Sequence, residues 1–341
     1  MIFLNIAVMN QILVTGGAGF IGQHLLKRLS QLDCKITVID NLSNGNENFQ
    51  NDNISKSDNT NNNISFYKED IRNKDSISDI FKRERIDTCI HLAARISVSD
   101  SITNPYDTLD VNIGGTLNVL EVCSNNKVKN FVFASSAAAY GEPKKLPISE
   151  DHVLDPLSPY GASKVAGEVL VSSYGNFGKI QNAISLRFFN VYGEGQTLEY
   201  AGVITKFAEQ LSKGLRPVIY GDGQQTRDFV SVNDVVRAIL LAAESENKIY
   251  SSSSPAVHVF NVASGKSISI NELAKTMIRI SGLALEPLYQ EKRKGDIKYA
   301  AVDTTKSKSI LGFAAKEELE PGLKQLMLDS NSITARNLKQ P

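Results

Sequence analysis

The sequence predicts an α/β fold: a doubly wound parallel sheet with helices on both faces, and a smaller mixed α/β lobe towards the C-terminus. Three observations predict it. Short β-rich runs alternate with helical stretches as far as about residue 190, the pattern of parallel strands joined by helical crossovers. A glycine-rich stretch, Thr15-Gly-Gly-Ala-Gly-Phe-Ile-Gly22, falls between the first strand and the first helix. Beyond that point the alternation gives way to mixed segments.

Taken in order, strands are expected at Ile12–Thr15, Ile36–Ile39, Ile64–Tyr67, Thr88–His91, Asn130–Ala134 and Ala183–Phe188. Helices fit Phe20–Gln31, Asp75–Arg83, Thr108–Asn125 and Tyr160–Gly175. In the last of these Pro159 starts the helix, and Ala162, Val165, Ala166 and Val169 continue an apolar face. Between the second and third strands, residues 44–63 hold nine asparagines and few apolar side chains, which reads as a surface loop. Further on, Val203–Lys213 and Asn271–Ile280 look helical and Val218–Tyr220 strand-like. Val232–Ala243 and Val257–Val262 are expected to return to the first unit. The domain reading is therefore 10–189 as a Rossmann-like dinucleotide-binding domain with return segments at about 228–262, and 190–330 as a smaller lobe interleaved with it.

Composition excludes several classes. With 37 basic and 37 acidic residues the totals show no polyanion-binding surface, so nothing argues for nucleic acid. Cys34, Cys89 and Cys123 form no Cys-x-x-Cys pair and have no histidine-rich surroundings. Neither a disulfide framework nor a metal site is expected, and a reducing, cytoplasmic location is. No apolar run reaches the roughly 18 residues that span a bilayer. Residues 1–8 are apolar but lack a basic segment or cleavage site. An upstream extension and a misplaced start, with Met9 as the true one, both fit them.

The glycine spacing Gly16-x-x-Gly19-x-x-Gly22 follows a strand and opens a helix with Phe20 and Ile21. Small residues there let the backbone approach a pyrophosphate, and the helix N-terminus offers free N–H groups. Asp40 ends the second strand 24 residues past Gly16. Its carboxylate is placed to accept from an adenosine ribose and to repel a 2′-phosphate, which favours NAD. Asp70 and Ile71, after the third strand, are candidates for the adenine end, although Asp70 also reads as a cap for a helix beginning near Asn73.

Chemistry centres on Tyr160-Gly-Ala-Ser-Lys164. Positions i and i+4 share a helix face, and a neighbouring ammonium favours phenolate, lowering a tyrosine pKa from about 10. A second Tyr-x-x-x-Lys, Tyr140 to Lys144, contains Pro143 and need not be helical. Ser136 ends the fifth strand, where ligands bind in such sheets. Read alone it is a turn-capping serine; beside Tyr160 and Lys164 it is a hydrogen-bond donor to a reacting oxygen.

These segments resemble the extended short-chain dehydrogenase/reductase family, and within it the nucleotide-sugar 4-epimerases of the UDP-glucose and UDP-N-acetylglucosamine type. The likeness runs from about residue 11 to 315. It rests on TGGAGFIG (15–22), DNLSNG (40–45), HLAA (91–94), NIGGT (112–116), SSAAAYG (135–141), YGASK (160–164), RFFNVYGEGQ (187–196), GDGQQTRDFV (221–230) and RKGD (293–296). The resemblance implies that Tyr160 is the general base and acid, that Lys164 tunes it and holds the nicotinamide ribose, and that Ser136 binds the sugar oxygen. Asn41, Leu92, Ala93, Ala94, Asn112 and Phe189 would complete the cofactor side. Asn190, Tyr220, Arg227, Arg293 and Asp296 would hold the nucleotide diphosphate of the substrate. Without the resemblance, Arg227-Asp228 reads as a surface ion pair and Lys292-Arg293-Lys294 as a solvated charge run.

The implied reaction is oxidation and re-reduction at one carbon of a UDP-sugar, through a 4-keto intermediate, in a homodimer built on the helices around 108–125 and 160–175. Related dehydratases carry acids just after the catalytic hydroxyl; here stand Ala137 and Ala138, which argues against elimination. A small residue at Ala300, beside Tyr299, implies a pocket that also admits N-acetylhexosamines. Glu194-Gly195 departs from the Pro-Arg common in relatives and blurs the substrate. A net reductase, a uronic-acid epimerase and a non-catalytic NAD-binding protein are the competing readings.

Overall fold

The structure, a computed structural model, describes residues 10–44, 63–196, 202–245, 258–292, 298 and 300–337, with side chains as far as residue 328. The expectations for residues 1–9, for most of the asparagine-rich stretch, and for Val257, Arg293, Asp296 and Tyr299 lie outside the described residues.

Twelve strands are seen among the described residues: β1 Gln11–Thr15, β2 Lys35–Asp40, β3 Ile64–Lys68, β4 Thr88–His91, β5 Asn130–Ser136, β6 Asn182–Phe188, β7 Asn190–Tyr192, β8 Val218–Tyr220, β9 Thr226–Ser231, β10 His258–Val262, β11 Ser267–Ser269 and β12 Leu288–Gln290. Seven of them form one sheet in the order β10-β6-β5-β4-β1-β2-β3, every neighbouring pair parallel. β1 lies at the point where the order reverses. In such sheets the crevice beyond the carboxyl ends of the strands, at that reversal, is where ligands bind.

The strands read as near-continuous apolar runs because the sheet is covered on both faces. One face packs Ile12, Val14, Val38, Ile90, Val132 and Ile184 against the helix Phe20–Leu29 and the helix Val232–Ala243. The opposite face packs Leu13, Ile39, Cys89 and Phe131 against the helices Lys74–Arg83 and Thr116–Asn125. A separate core, with Tyr192, Phe207, Ile219, Leu273, Met277 and Leu323, joins the helices Val203–Ser212, Ile270–Ser281 and Leu319–Asn337. Over it lie β7, β9 and β11 in one small sheet and β8 with β12 in another. Among the described residues no helix is long and apolar enough to cross a membrane.

Two expectations are corrected. The helix read over 108–125 is Pro105–Leu109, then a wide i→i+5 turn at Asp110–Gly115, then Thr116–Asn125. Gly115 lets the end of this turn pack closely on Ile71, since a Cβ there would stand 2.6 Å from the Ile71 side chain. Second, the apolar stripe of the helix Pro159–Asn176 faces outwards. Ala162 and Val169 are exposed, while Gly161, Ser163, Lys164, Gly167 and Glu168 are buried.

Candidate active site

The glycine loop is shaped by backbone contacts. Gly16 has φ +72°, a region where glycine carries no steric penalty, and a Cβ there would lie 2.6 Å from the Ala93 nitrogen. Gly22 seats the helix on the loop: a Cβ would collide with the Gly16 carbonyl oxygen and lie 2.6 Å from that of Gly17. Asp40 turns back towards the loop, its carboxylate accepting from Ala18 N at 2.9 Å and Leu42 N at 2.8 Å. Burial pushes its pKa up, against those two backbone donors. Each oxygen keeps a lone pair for a ligand hydroxyl.

Around this loop runs a cleft of about 550 Å³ bordered by Gly16, Gly19, Phe20, Ile21, Gly22, Asp40, Asn41, Asp70, Ile71, Leu92, Ala93, Ala94, Tyr160 and Lys164. It also touches Glu69, Arg95, Ile96, Ser135, Phe188 and Gln196, which the sequence reading did not single out. Asp70 does not cap the next helix; Asn73 does, accepting from Ser76 N. Asp70 instead receives Arg72 through Nε and Nη2 and Asn41 through Nδ2, and the Arg72 hydrogen bond foremost holds its carboxyl well below the usual range.

Two expected cofactor contacts stand elsewhere. Asn112, 2% exposed, is not on the cleft wall. Its Oδ1 accepts from Arg95 N at 2.7 Å and its Nδ2 donates to Arg95 O and to Ser163 Oγ, both at 2.9 Å. It clamps the segment after β4 to the Tyr160 helix. Phe189 packs into a small core with Tyr140, Ile148, Ala263 and Val302, and its neighbour Phe188 borders the cleft instead.

Behind the cleft, His91 links three elements. Its Nδ1 meets the Thr15 hydroxyl at 2.7 Å and its Nε2 the Thr116 hydroxyl at 2.9 Å. Thr116 donates to Asn112 O, so the Nε2–H tautomer is the one that satisfies both ends. Burial first, and the Lys164 charge second, push its pKa down to about 3, so it is a neutral strut.

Ser136, Tyr160 and Lys164 converge where this cleft meets a second one. Ser136 borders the second, which shares Ile96 and Gln196 with the first; its Oγ accepts from Ala138 N at 3.1 Å. Lys164 Nζ donates to Ala134 O at 2.9 Å and stands 5.8 Å from the Tyr160 ring centre and 5.1 Å from that of Phe133. The expected lowering of the Tyr160 pKa is not what the polypeptide alone provides. Burial pushes the phenol up, and hydrogen bonding with Ser136 only opposes this. Lys164 is itself desolvated, its pKa brought down to about 8. Tyr140 and Lys144 do not converge: Tyr140 is 1% exposed, whereas the Lys144 side chain is 76% exposed.

The second cleft, also about 550 Å³, is bordered by Asn190, Tyr220, Gln225, Arg227 and Phe229. Arg227 and Asp228 are not a surface ion pair. Asp228 is fully buried and accepts from Ser264 N, Ser264 Oγ and Gly265 N at 2.7–2.8 Å, while Arg227 borders the cleft and donates to Thr226 O at 2.8 Å. Ala300 is buried; its nitrogen donates to the Thr226 hydroxyl oxygen at 3.1 Å and its carbonyl oxygen accepts from the Ser267 hydroxyl. It does not border the cleft.

A strand–glycine loop–helix with an acid closing β2, joined to a Tyr-x-x-x-Lys helix at the crevice, defines a dinucleotide-dependent enzyme of the Rossmann class. Residues 12–263 match the model of the NAD dependent epimerase/dehydratase family, and the chain belongs to that family. It is similar to UDP-glucose 4-epimerase of Mycolicibacterium smegmatis, 34% identical over 313 residues, or 91% of this chain and 95% of that one. Among solved structures it resembles the UDP-glucose 4-epimerase of Thermotoga maritima with UDP-glucose (TM-score 0.83, 37% identity, 95% and 99% covered). It also resembles the UDP-N-acetylglucosamine 4-epimerase of Methanobrevibacter ruminantium in complex with UDP-N-acetylmuramic acid (0.85, 34%, 96% and 99%). NAD is the cofactor of the family, and the residues present fit it: two missing Cβ atoms at the loop, and a carboxylate with spare acceptor capacity at the end of β2. Asp40→Ala is expected to weaken NAD binding roughly tenfold or more, the loss of hydrogen bonds to a charged acceptor. Titration calorimetry returning the parental affinity would remove Asp40 as the ribose ligand.

Proposed function

We propose that the protein is a UDP-sugar 4-epimerase that interconverts gluco and galacto forms through a 4-keto intermediate. The observation that carries the reading is the position of Tyr160, Lys164 and Ser136 at the junction of a dinucleotide cleft and a second, arginine-bearing cleft. NAD, when bound, supplies the hydride acceptor and donor. In this reading Tyr160 takes the proton of the sugar 4-hydroxyl and later returns it, Ser136 hydrogen-bonds the same oxygen, and the Lys164 ammonium steadies the phenolate. Arg227, Tyr220 and Asn190 hold the nucleotide end, where a guanidinium suits a diphosphate; Arg293 and Asp296 belong to the same expectation.

The acids support epimerisation over elimination. Among the described residues bordering the two clefts, the carboxylates are Asp40, Glu69 and Asp70, all at the glycine-loop end. Ala137 and Ala138 follow Ser136 in a short turn, where a second proton-transfer group would be needed. Ala300 carries no argument about the sugar 2-substituent, because it lies off the cleft. A proton NMR time course with UDP-galactose and UDP-N-acetylgalactosamine in one tube tests both points. Conversion without added reductant supports 4-epimerisation, and the pair that moves identifies the substrate. Conversion of neither, with NAD supplied, overturns the proposal.

We also read the protein as a homodimer. The two short helices Val98–Thr103 and Pro105–Leu109 pack against the helix Pro159–Asn176. Together these elements expose Ile102 (63%), Tyr106 (86%) and Val169 (62%). Exposed apolar side chains on elements packed together are what a partner surface covers, and a second copy presents the same helices across a twofold axis. Light scattering is expected to give twice the chain mass for the parent, and the chain mass for Ile102→Glu with Val169→Glu. A monomeric parent sinks this reading.

A further inference from the structure

Beneath Tyr160 and Lys164 lies a buried charged cluster. Glu168, one helical turn beyond Lys164, is 5% exposed, and Arg187 on β6 is 3% exposed. Arg187 donates to both carboxylate oxygens, Nε to Oε1 at 2.9 Å and Nη2 to Oε2 at 2.7 Å. The Ser135 hydroxyl also donates to Glu168 Oε1. Behind the pair, Arg187 Nη1 donates to Tyr140 Oη at 2.8 Å and to Glu150 O at 3.0 Å. Tyr140 donates in turn to Asn261 Oδ1. β5 therefore anchors two consecutive turns of the helix through consecutive residues, Ala134 receiving Lys164 and Ser135 holding Glu168.

We propose that Glu168, held by Arg187 and Ser135 one helical turn from Lys164, is a positioning residue for proton transfer: it pins the helix to β5 beside the carbonyl that receives Lys164 and sets a carboxylate behind the ammonium that serves the phenol. The inference rests on the reading of Tyr160 and Lys164 as the proton-transfer pair. A buried ion pair is weak support for a fold, since an apolar pair of similar volume is often as stable. Its placement therefore asks for another reason. The groups set against Lys164 are Tyr160 and Glu168 on its own helix and His91 from β4, with Arg187 of β6 behind Glu168 and Tyr140 and Glu150 beyond Arg187. His91 is neutral, and the Arg187 charge is turned onto Glu168. Glu168 is the carboxylate that acts on Lys164, opposing the burial that brings its pKa down to about 8. Without it the ammonium loses its proton at lower pH, and the phenol loses the charge that favours its ionised form.

The test is the pH profile of kcat. Glu168→Met with Arg187→Met removes both charges together, leaving neither partner buried alone. The alkaline limb is expected to move down by about one pH unit, with KM for the nucleotide sugar nearly unchanged and the NAD content retained. Glu168→Asp is expected to restore the parental limb in part. Should the double variant not fold, Glu168→Gln keeps the shape without the charge and is expected to move the limb the same way. A parental limb in whichever folded variant is measured overturns the proposal. Tyr160→Phe assayed alongside separates the two readings. An active Tyr160→Phe removes the proton-transfer pair itself, whereas an inactive one with an unmoved limb in the Glu168 variants removes only the role of Glu168.

Discussion

Replacing Tyr160 with Phe is expected to lower turnover by about 10²–10⁴-fold, the usual contribution of a positioned acid–base group, while binding of NAD and of the nucleotide sugar stays nearly intact. The substitution removes one oxygen and leaves the ring that packs beside Lys164. Ser136 cannot take over the proton, because a serine hydroxyl in this setting is a hydrogen-bond partner with no nearby base of its own; its Oγ accepts from a backbone nitrogen. The size of the loss also bears on the electrostatics. Burial pushes the Tyr160 phenol up and the Lys164 ammonium down, so the apo protein holds phenol and ammonium in an apolar setting. The arrangement gains its force from placing them where a sugar hydroxyl must lie, at the junction of the two clefts. Turnover by NMR, set against equilibrium binding of UDP-galactose, checks the split between chemistry and affinity. Full activity in the variant would take Tyr160 out of the mechanism.

The sequence carried the parallel sheet well, because buried parallel strands are apolar runs of five or six residues and their spacing is set by the helices between them. The six strands read from the sequence agree with β1 to β6 within two residues at their ends. The glycine loop, Asp40 and the Tyr160 helix were legible for a related reason: each depends on local spacing. What escaped depends on contacts far apart in the chain. β7, β11 and β12 are three residues each, too short to show a period, and are fixed by partners such as Phe229 opposite Asn190. The wide turn at Asp110–Gly115 carries no spacing signal of its own, and the close seat of Gly115 on Ile71 is a contact between distant residues. Glu168 follows Lys164 at i+4, a spacing typical of solvent-exposed helices, and only Arg187 from β6 shows that it is inside. Asn112 was read from the resemblance as a cofactor neighbour. Its three hydrogen bonds to Arg95 and Ser163 make it the part that holds the cofactor wall to the Tyr160 helix.

Gly22→Ala is expected to cost about 1–3 kcal/mol of stability, the range for forcing a methyl into a packed site, and to weaken NAD binding as well. Its Cβ would collide with the Gly16 carbonyl and sit 2.6 Å from that of Gly17, and backbone of this kind cannot rotate aside as a side chain would. The loop must move, and with it Gly16, whose nitrogen donates to Ile39 O at 2.8 Å and ties the loop to the end of β2, next to Asp40. A shift there separates the backbone that faces the pyrophosphate from the carboxylate that faces the ribose. A ligand that binds only the folded state raises stability by RT ln(1 + L/Kd) at free ligand concentration L, and so the melting temperature with the logarithm of its affinity, so melting curves with and without the same excess of NAD read both effects. The variant is expected to melt lower in the absence of NAD and to gain less from it. Gly19→Ala is the graded comparison, since its Cβ would stand 3.3 Å from Gly16 O, a contact that small adjustments relieve. Equal losses at the two positions would mean that the methyl contacts with the loop backbone do not set the cofactor site, and that the third glycine serves the helix alone.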